Sequence, residues 1–158
     1  MKVGVISDTH DNVPNIKRAV EIFKKEKVDM VIHAGDFVAP FSVNPLNEMG
    51  IDYLGVFGNN DGEKVGLTNT SKGRIVDPPH IIKVAGKKIL ITHKLSTPEL
   101  FAGAEIDLII YGHNHKKEIK KVGSTLIVNP GECGGWLTGK STIAIVDLIE
   151  LSAKIIEI

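Results

Sequence analysis

Several short polar segments of the sequence carry side chains of the types that bind divalent metal ions. They supply carboxylate, amide and imidazole groups, which suit ions such as manganese and zinc. Two ions about 3.5–4 Å apart can clamp the attacking and leaving oxygens of a phosphate ester and activate a water molecule for attack. We therefore predict a two-metal phosphoesterase site. Its candidate metal ligands are Asp8, His10, Asp36, Asn59, His93, His113 and His115.

Each candidate ligand also has an ordinary structural explanation when it is taken alone. Asp8 or Asp36 could cap a helix, and Asn59 lies in a Gly-Asn-Asn-Asp-Gly segment that is typical of a turn. His93 could be a hydrogen-bonded histidine of the core. The combination favours metal binding, because five segments with suitable ligand types each follow a predicted strand.

The spacing within the segments indicates how their side chains could reach common ions. If residues 8–10 are extended, Asp8 and His10 point to the same side, since side chains alternate along a strand. By the same argument, His113 and His115 could each reach a different ion. Three of the candidate ligands directly follow a glycine, which lets the backbone approach an ion closely.

The elements that must position these segments alternate between strand and helix in the first 60 residues. Buried strands are predicted at 3–6, 28–33 and 52–56, with an amphipathic helix that starts near Pro14 and a short helix over 40–49. Alternating strands and helices predict a parallel sheet with right-handed crossovers. Ligands bind beyond the carboxyl ends of such strands, where the first three segments lie.

The second half of the sequence is richer in strands. Glycine-containing turns predict two hairpins, around residues 85–87 and 123–124. We expect a short helix over 97–104 and, in 62–79, a loop that can carry a short helix. The predicted strands span 80–84, 88–91, 107–111, 118–122, 125–128, 141–147 and 153–158.

Composition limits the classes of protein to which this chain can belong. It has 158 residues with 19 basic and 19 acidic side chains, so the net charge is zero and no nucleic-acid-binding patch is evident. The run Lys116, Lys117, Lys120 and Lys121 is interrupted by other residues, and we interpret it as a solvated strand or turn. A single cysteine and the lack of a long apolar run lead us to expect one cytoplasmic domain over residues 1–158, with no membrane span.

Other residues have structural interpretations. Cys133 is expected to be a small packed residue rather than a nucleophile, and His33 is expected to be structural. Asn129 is expected to support the loop behind the metal ligands. Trp136, the only tryptophan, could lie at the rim of the site or on a self-association surface.

The ordered motifs closely resemble the calcineurin-like metallophosphoesterase superfamily. The pattern of that family reads D-x-H, GD, GN, H and GHxH, and its parts stand here in the same order at 8–10, 35–36, 58–59, 93 and 112–115. Flanking residues in 7–11, 58–61 and 129–132 are similar to the small prokaryotic YfcE-type phosphodiesterase branch. The resemblance covers the whole chain.

The resemblance implies an α/β fold, a four-layer α/β/β/α sandwich with the site on one edge. It also implies roles for the ligands. The first ion would be held by Asp8, His10 and His115. The second ion would be held by Asn59, His93 and His113, with Asp36 as the bridge. Manganese is common in this family, with nickel, zinc or iron as substitutes.

The chain departs from the family pattern at two positions. Many relatives have a histidine that assists the leaving group where this chain has Asn60, which can hydrogen-bond a leaving oxygen but cannot act as a general acid. The candidate catalytic residues are therefore Asp36, Asn60 and the neighbouring Asp61, and we expect activity to favour leaving groups that need little protonation. A second histidine of the fourth motif is also missing after His93, and Lys94 could bind a phosphate oxygen or lie exposed.

Two functions of different classes are compatible with these motifs. The first is a metal-dependent phosphodiesterase or phosphatase that acts on a small phosphate ester. The second is a catalytically weak scaffold or protein-interaction module of the same fold, such as the retromer subunit. We favour the enzyme, because the chain retains all seven ligand types. Relatives of this branch often self-associate, so the resemblance implies a homodimer or homotetramer.

Overall fold

Strands and helices alternate through the first half of the chain, as the sequence predicts. The computed structural model describes residues 1–97 and 105–158. The described residues form helices α1 (Val13–Lys25), α2 (Asn44–Glu48) and α3 (Lys64–Ser71), with a 3₁₀ helix at Pro40–Val43. Strands β1 to β11 occupy, in order, Lys2–Ile6, Met30–His33, Asp52–Val56, Ile75–Val76, His80–Val84, Lys87–Ile91, Leu108–Ile110, Glu118–Val122, Thr125–Asn129, Thr142–Asp147 and Ser152–Glu157.

Helix α1 begins where the sequence signals predict it. The side-chain oxygen of Asn12 accepts a hydrogen bond from the backbone N–H of Asn15 at 3.3 Å, and Pro14 occupies the first turn, where its missing N–H is not needed. The buried residues recur at helical spacing, so one face of α1 packs against a sheet. They are Ile16, Ala19, Val20 and Phe23.

The strands form two sheets that each present parallel strands side by side. The six-stranded sheet has the order β11-β10-β1-β2-β3-β4, and the five-stranded sheet has the order β5-β6-β7-β9-β8. Strands β1 to β4 run parallel to one another, as do β6, β7 and β9 in the other sheet, whereas β10 is antiparallel to β1. The predicted hairpins β5–β6 and β8–β9 are antiparallel. Each sheet therefore gathers several strand carboxyl ends at one edge.

The two sheets pack face to face through an apolar core. Val3 and Val5 of β1 lie in this core, whereas Ile6 packs among the helices on the other face of the six-stranded sheet. The five-stranded sheet contributes alternate residues of its central strands, including Ile89, Leu108 and Leu126. The predicted α/β fold, with two sheets flanked by helices, is confirmed.

Three segments do not simply match the elements that the sequence predicts. The helix expected over 40–49 is divided into a 3₁₀ turn and α2. The loop expected over 62–79 carries α3 and also the short edge strand β4. Strand β4 has only two residues, too few to show a hydrophobic periodicity in the sequence. The helix expected over 97–104 lies, from residue 98 onward, outside the described residues. In the part of the chain that the structure describes, no helix is long and apolar enough to cross a membrane.

Candidate metal centre

The first candidate ligands follow neighbouring strands of the six-stranded sheet. Asp8, Asp36 and Asn59 come after the carboxyl ends of β1, β2 and β3. The backbone N–H of Asp8 donates to the carbonyl of Gly35 at 3.0 Å, and the N–H of His10 donates to the carbonyl of Asp36 at 3.1 Å. The parallel order of the strands thus brings together side chains that are far apart in sequence.

The remaining three histidines come from the five-stranded sheet. His93 follows β6, and His113 and His115 follow β7. The backbone N–H of His113 donates to the carboxylate of Asp8 at 3.1 Å. This bond ties the loop after β7 to the loop after β1, so the two sheets share one site at their common edge.

Two buried carboxylates lie between the histidine rings. One oxygen of Asp36 lies 3.6 Å from Nε2 of His10 and 3.3 Å from Nε2 of His93. Oδ1 of Asp8 lies 3.3 Å from Nε2 of His115, 3.9 Å from Nε2 of His10 and 4.0 Å from Nε2 of His93. Two ligands that each lie about 2.1 Å from one ion are separated by about 3 to 4 Å. The observed distances therefore suit shared ions.

Two atoms at the centre of this arrangement are buried without a hydrogen-bond partner among the described residues. They are Oδ1 of Asp8 and Nε2 of His10. Buried polar atoms almost always have a hydrogen-bond partner. Two neighbouring buried atoms with free lone pairs and no such partner therefore indicate a cation-binding site. Ligand atoms within 4.8 Å of one another form two groups that share Asp8: one with His10 and His115, the other with Asp36 and His93. Carboxylates and imidazoles fit divalent transition-metal ions.

The backbone of the centre is left-handed at five of the candidate ligands. The expectation of an extended backbone at residues 8–10 and 113–115 is therefore wrong, and tight turns rather than strand alternation bring the side chains together. A non-glycine residue in this conformation costs about 1–2 kcal/mol, and such strain is found mainly at functional sites. The φ angles are 52° for Asp8, 41° for His10, 61° for Asp36, 71° for His113 and 59° for His115.

The ring of His93 is oriented by a hydrogen bond on the side away from the carboxylates. Its Nδ1 lies 2.7 Å from the carbonyl oxygen of Ala34, which can only accept, so Nδ1 carries the hydrogen. Nε2 then faces the side-chain oxygen of Asn59 at 3.1 Å as well as Asp36. Burial lowers the pKa of His93, but the Asp36 carboxylate outweighs burial and raises the pKa above its usual value. A proton or a cation that lies between Nε2 of His93 and the oxygens of Asn59 and Asp36 therefore stabilises this arrangement.

Asn60 contacts the carboxylate of Asp36. Its backbone N–H donates to one oxygen at 2.9 Å, and its side-chain amide donates to the other at 2.7 Å. Burial would raise the pKa of Asp36, but the hydrogen bonds from His93 and Asn60 outweigh burial and hold that pKa well below its usual range. Asp36 is therefore ionised, which is the form of a carboxylate that binds cations.

The carboxylate of Asp61 is occupied by backbone donors. It accepts hydrogen bonds from the N–H groups of Asp36 at 3.0 Å, Gly58 at 2.7 Å and Val38 at 2.7 Å. These bonds join the loop after β2 to the loop after β3. Asp61 therefore positions Asp36 rather than facing the space between the histidines.

Close approach of the backbone requires glycine at two points of the centre. A Cβ atom at Gly58 would collide with the carboxylate of Asp36, and one at Gly112 would collide with the side chain of Ser7. The structure thus agrees with the expectation that glycines in these motifs leave room for the ligands.

Glu132 is a residue of the centre whose role sequence reasoning missed. It is buried, and its Oε2 lies 3.0 Å from Nδ1 of His115. Burial would raise the pKa of Glu132, but hydrogen bonds from Thr138, Leu137 and His115 lower it below its usual value. His115 therefore donates from Nδ1 and turns Nε2 toward Asp8, the arrangement that orients many metal-binding histidines. Glu132 reaches His115 because it follows β9, a parallel neighbour of β7, and this strand order is not evident in the sequence.

His33 supports the centre from the interior, in agreement with its structural interpretation. The backbone N–H of Gly35 donates to its Nδ1 at 3.1 Å, so Nε2 carries the hydrogen and donates to the hydroxyl of Thr9 at 3.1 Å. The ring stacks on Phe37 with centroids 3.5 Å apart. Burial lowers the pKa of His33 well below its usual value, so the ring is neutral.

The other residues that the sequence singled out lie around the ligands. Cys133 is fully buried, and burial raises the pKa of its thiol, which excludes a ready nucleophile. Asn129 donates to the carbonyl of Gly112 at 3.2 Å and so supports the loop after β7. Trp136 is 65% exposed and donates to the carbonyl of His10 at 3.1 Å, which places it at the rim. Lys94 is exposed.

Two facing sheets with a carboxylate and imidazole centre at their common edge are the features of a metallophosphoesterase domain. A family model described as the calcineurin-like phosphoesterase superfamily domain matches residues 1–150. The chain belongs to this superfamily, which confirms the predicted family. It is accordingly a metal-dependent hydrolase that acts on phosphate esters.

Individual relatives agree with this assignment. The chain is 40% identical over 154 residues to phosphodiesterase MJ0936 of Methanocaldococcus jannaschii, with 93% of each chain covered. It is 27% identical over 146 residues to phosphodiesterase YfcE of Escherichia coli, with 83% of this chain and 78% of the relative covered. The solved structure of an archaeal phosphodiesterase superposes with a TM-score of 0.91 at 37% identity and covers 100% of both chains.

Proposed function

We propose that the chain is a two-metal phosphodiesterase that hydrolyses a small phosphate ester. The observation that carries this proposal is the pair of unpaired buried atoms, Oδ1 of Asp8 and Nε2 of His10, inside a ring of further ligand-type side chains. The similarity to proteins named phosphodiesterases supports a diester as the preferred substrate.

We assign the residues to two divalent ions, of which manganese is the first candidate and nickel, zinc and iron are alternatives. Asp36 is suited to bridge them, because one of its oxygens lies between His10 and His93. When bound, the ions supply positive charge for the phosphate oxygens and lower the pKa of water. The first ion is assigned to Asp8, His10 and His115, and the second to Asn59, His93 and His113.

The chain's own residues determine which esters react well. Hydrolysis forms a bond from a water oxygen to phosphorus and breaks the bond from phosphorus to the leaving oxygen. Asn60 can donate a hydrogen bond to the leaving oxygen but has no proton to transfer. Esters with acidic leaving groups should therefore react best. Asp36 and Asn60 are the proposed catalytic residues, and Asp61 acts through the backbone of Asp36.

A catalytically weak scaffold of the same fold is the alternative. A site that had lost catalysis would be expected to fill with apolar side chains or to satisfy its polar atoms internally. Here the carboxylate and imidazole groups are retained, and two of their atoms are left unpaired among the described residues. This observation favours the enzyme.

We further propose that residues 1–158 act as one domain in the cytoplasm, as a homodimer or homotetramer that does not bind nucleic acid. The zero net charge supports the last part of this proposal. Light scattering during size-exclusion chromatography gives the number of copies, and a mass of one chain would contradict the oligomer.

The function is tested with protein stripped by a chelator and assayed with and without manganese. Bis(p-nitrophenyl) phosphate and p-nitrophenyl phosphate are compared side by side, and bound metal is counted by calorimetry. We expect two ions per chain and manganese-dependent cleavage of the diester above the monoester. Stoichiometric binding of metal without cleavage of either ester would favour the scaffold.

A further inference from the structure

A cavity of about 250 Å³ opens beside the candidate metal centre. It lies where the turn after β7 meets the segment between β9 and β10. Its wall contains three lysines, two threonines and one histidine of the centre. The lining residues are His115, Lys116, Lys117, Thr138, Lys140 and Thr142.

Three exposed lysines border the cavity. Among the described residues, no carboxylate forms an ion pair with Lys116, Lys117 or Lys140, whereas Lys24, Lys64 and Lys154 each have a carboxylate partner. The nearby carboxylate of Glu132 is occupied by His115 and by the backbone N–H of Thr138. All three lysines are exposed, so their charge is accessible to an anion that binds at the cavity, in a chain whose net charge is zero.

The wall around Lys140 is held in place by local hydrogen bonds. The N–H of Lys140 donates to the hydroxyl of Thr138 at 3.2 Å, and that hydroxyl donates to the carbonyl of Lys140 at 3.0 Å. The N–H of Gly139 donates to the carbonyl of Gly135 at 3.1 Å. The backbone of this turn is thus ordered before any ligand arrives, which lowers the entropic cost of binding.

His115 connects the cavity with the metal centre. One side of its ring lines the cavity, and its Nε2 lies 3.3 Å from Oδ1 of Asp8. The cavity therefore adjoins the centre, and one of the two substituents of a phosphate ester bound there can extend into it.

We propose that this cavity binds a second phosphate group carried by the substrate, so that the substrate class is a small phosphodiester with an additional phosphate. This inference rests on the proposed phosphodiesterase function. Lysine ammonium groups act as mobile point charges that suit a tetrahedral phosphate, and the wall has no arginine fork for planar binding of a carboxylate. The hydroxyl of Thr142 adds a donor without negative charge.

The test compares two substrates that differ by one phosphate. They are the p-nitrophenyl ester of thymidine 5′-phosphate with a free 3′-hydroxyl and the same ester with a 3′-phosphate. We expect manganese-loaded protein to prefer the 3′-phosphorylated ester about 10- to 30-fold in kcat/KM, because each exposed charge pair contributes roughly threefold. The preference should fall as salt is raised, since exposed charges are screened.

The lysines are tested by Lys116→Gln, Lys117→Gln, Lys140→Gln and the triple variant. Each single change should lower the preference about threefold, and the triple change should abolish it. Lys83→Gln is the matched control, because exposed Lys83 lies on β5, at the edge of the five-stranded sheet opposite to β8. A wild-type ratio near one, or a ratio that the triple variant leaves unchanged, would overturn the proposal.

Two further arms separate other outcomes. If added inorganic phosphate stimulates cleavage of the 3′-hydroxyl ester and the triple variant loses that effect, the cavity binds a free anion. That result would contradict the proposal that the second phosphate belongs to the substrate. If no ester is cleaved, the phosphodiesterase function fails, and calorimetry then compares thymidine 3′,5′-bisphosphate with thymidine 5′-phosphate on the same protein. Tighter binding of the bisphosphate that is lost in the triple variant would still support the subsite, and equal binding would overturn it.

Discussion

Two adjoining regions of the site are built in opposite ways. The ligand bed, comprising residues 7–10, 35–38 and 58–61, holds its central carboxylates by backbone hydrogen bonds and left-handed turns. The rim, comprising residues 116–117 and 136–140, is exposed and carries three lysines without carboxylate partners among the described residues. Both regions lie against His115, yet they share little in burial or in charge.

The difference separates the chemistry from the choice of substrate. Metal ligands must be held within a few tenths of an ångström, so the bed uses buried hydrogen bonds and tolerates strained backbone. Groups that select a substrate must exchange water for the ligand, so they are exposed and individually weak. Changes in the bed should therefore have large effects on all substrates, whereas changes in the rim should alter the ratio between substrates.

The largest effect is expected for Asp36→Asn. This change removes the negative charge that lies between His10 and His93 and leaves the shape nearly intact. Metal-dependent kcat should fall by about three orders of magnitude, as expected for loss of a metal bridge. Initial rates on bis(p-nitrophenyl) phosphate with manganese measure this fall.

Circular dichroism of the same protein checks that the fold is retained. Asp52→Asn is the matched control, because Asp52 is exposed and far from the strand ends that carry the ligands. Turnover of Asp36→Asn close to that of the wild type would show that the ligand bed is not needed for catalysis. It would contradict the division of roles between the ligand bed and the rim.

The next effect concerns stability and tests whether Asp61 supports the bed. Asp61→Ala leaves the buried N–H group of Asp36 and the partly buried N–H groups of Gly58 and Val38 without their acceptor. We expect a loss of about 3 kcal/mol in the free energy of unfolding, from denaturant titration. Asp147→Ala is the control, because Asp147 accepts from two backbone N–H groups in an exposed turn and should cost about 1 kcal/mol or less. Lost activity at unchanged stability would instead make Asp61 a catalytic carboxyl group.

The third prediction concerns Glu132, which joins the bed to the rim. It accepts from His115 on one side and from the backbone of Thr138 on the other. Glu132→Gln should weaken metal binding about 10- to 100-fold, because an amide has one acceptor oxygen for donors on both sides and lacks the charge that orients the histidine ligand. Calorimetric titration with manganese measures the affinity. Glu118→Gln, which removes a charge but keeps an acceptor for the Tyr111 hydroxyl, should leave the affinity unchanged.

The ligand positions could be predicted from the sequence because they depend on local features. Each ligand segment follows a strand that its apolar residues reveal, and parallel strands place their ends at one edge. The left-handed backbone of Asp8 and His10 could not be predicted in this way. It depends on hydrogen bonds to the carbonyl groups of Gly35 and Asp36, which are distant in sequence.

The contacts that the sequence did not reveal join segments from different strands. Glu132 meets His115 only because β9 lies beside β7. Likewise, Lys116 and Lys140 face one cavity although they are far apart in the chain, so the charge pattern of the lysine run gave no sign of it. Such pairings follow from strand order, which single-sequence patterns do not determine.

The smallest effect is expected at Tyr53, a buried group outside both regions. Its hydroxyl donates to the side chain of Asn47 at 2.7 Å, and burial, partly offset by Arg74, raises its pKa to about 12. An unfolded tyrosine ionises at about pH 10, so the unfolded chain binds fewer protons than the folded one between these values. The stabilising contribution of Tyr53 is therefore complete below about pH 10 and is lost as the pH rises toward 12.

Absorbance at 295 nm should show no tyrosinate from Tyr53 near pH 10 while the protein is folded, and Tyr53→Phe should weaken the pH dependence of stability above that value without changing activity. Tyrosinate from Tyr53 near pH 10 in folded protein would contradict the shift. Burial by itself thus shifts a pKa at a residue with no role in the site. A shifted pKa therefore cannot distinguish the ligand bed from the rest of the interior. Unpaired buried atoms do distinguish the two. The hydroxyl of Tyr53 has a hydrogen-bond partner, whereas Oδ1 of Asp8 and Nε2 of His10 have none among the described residues.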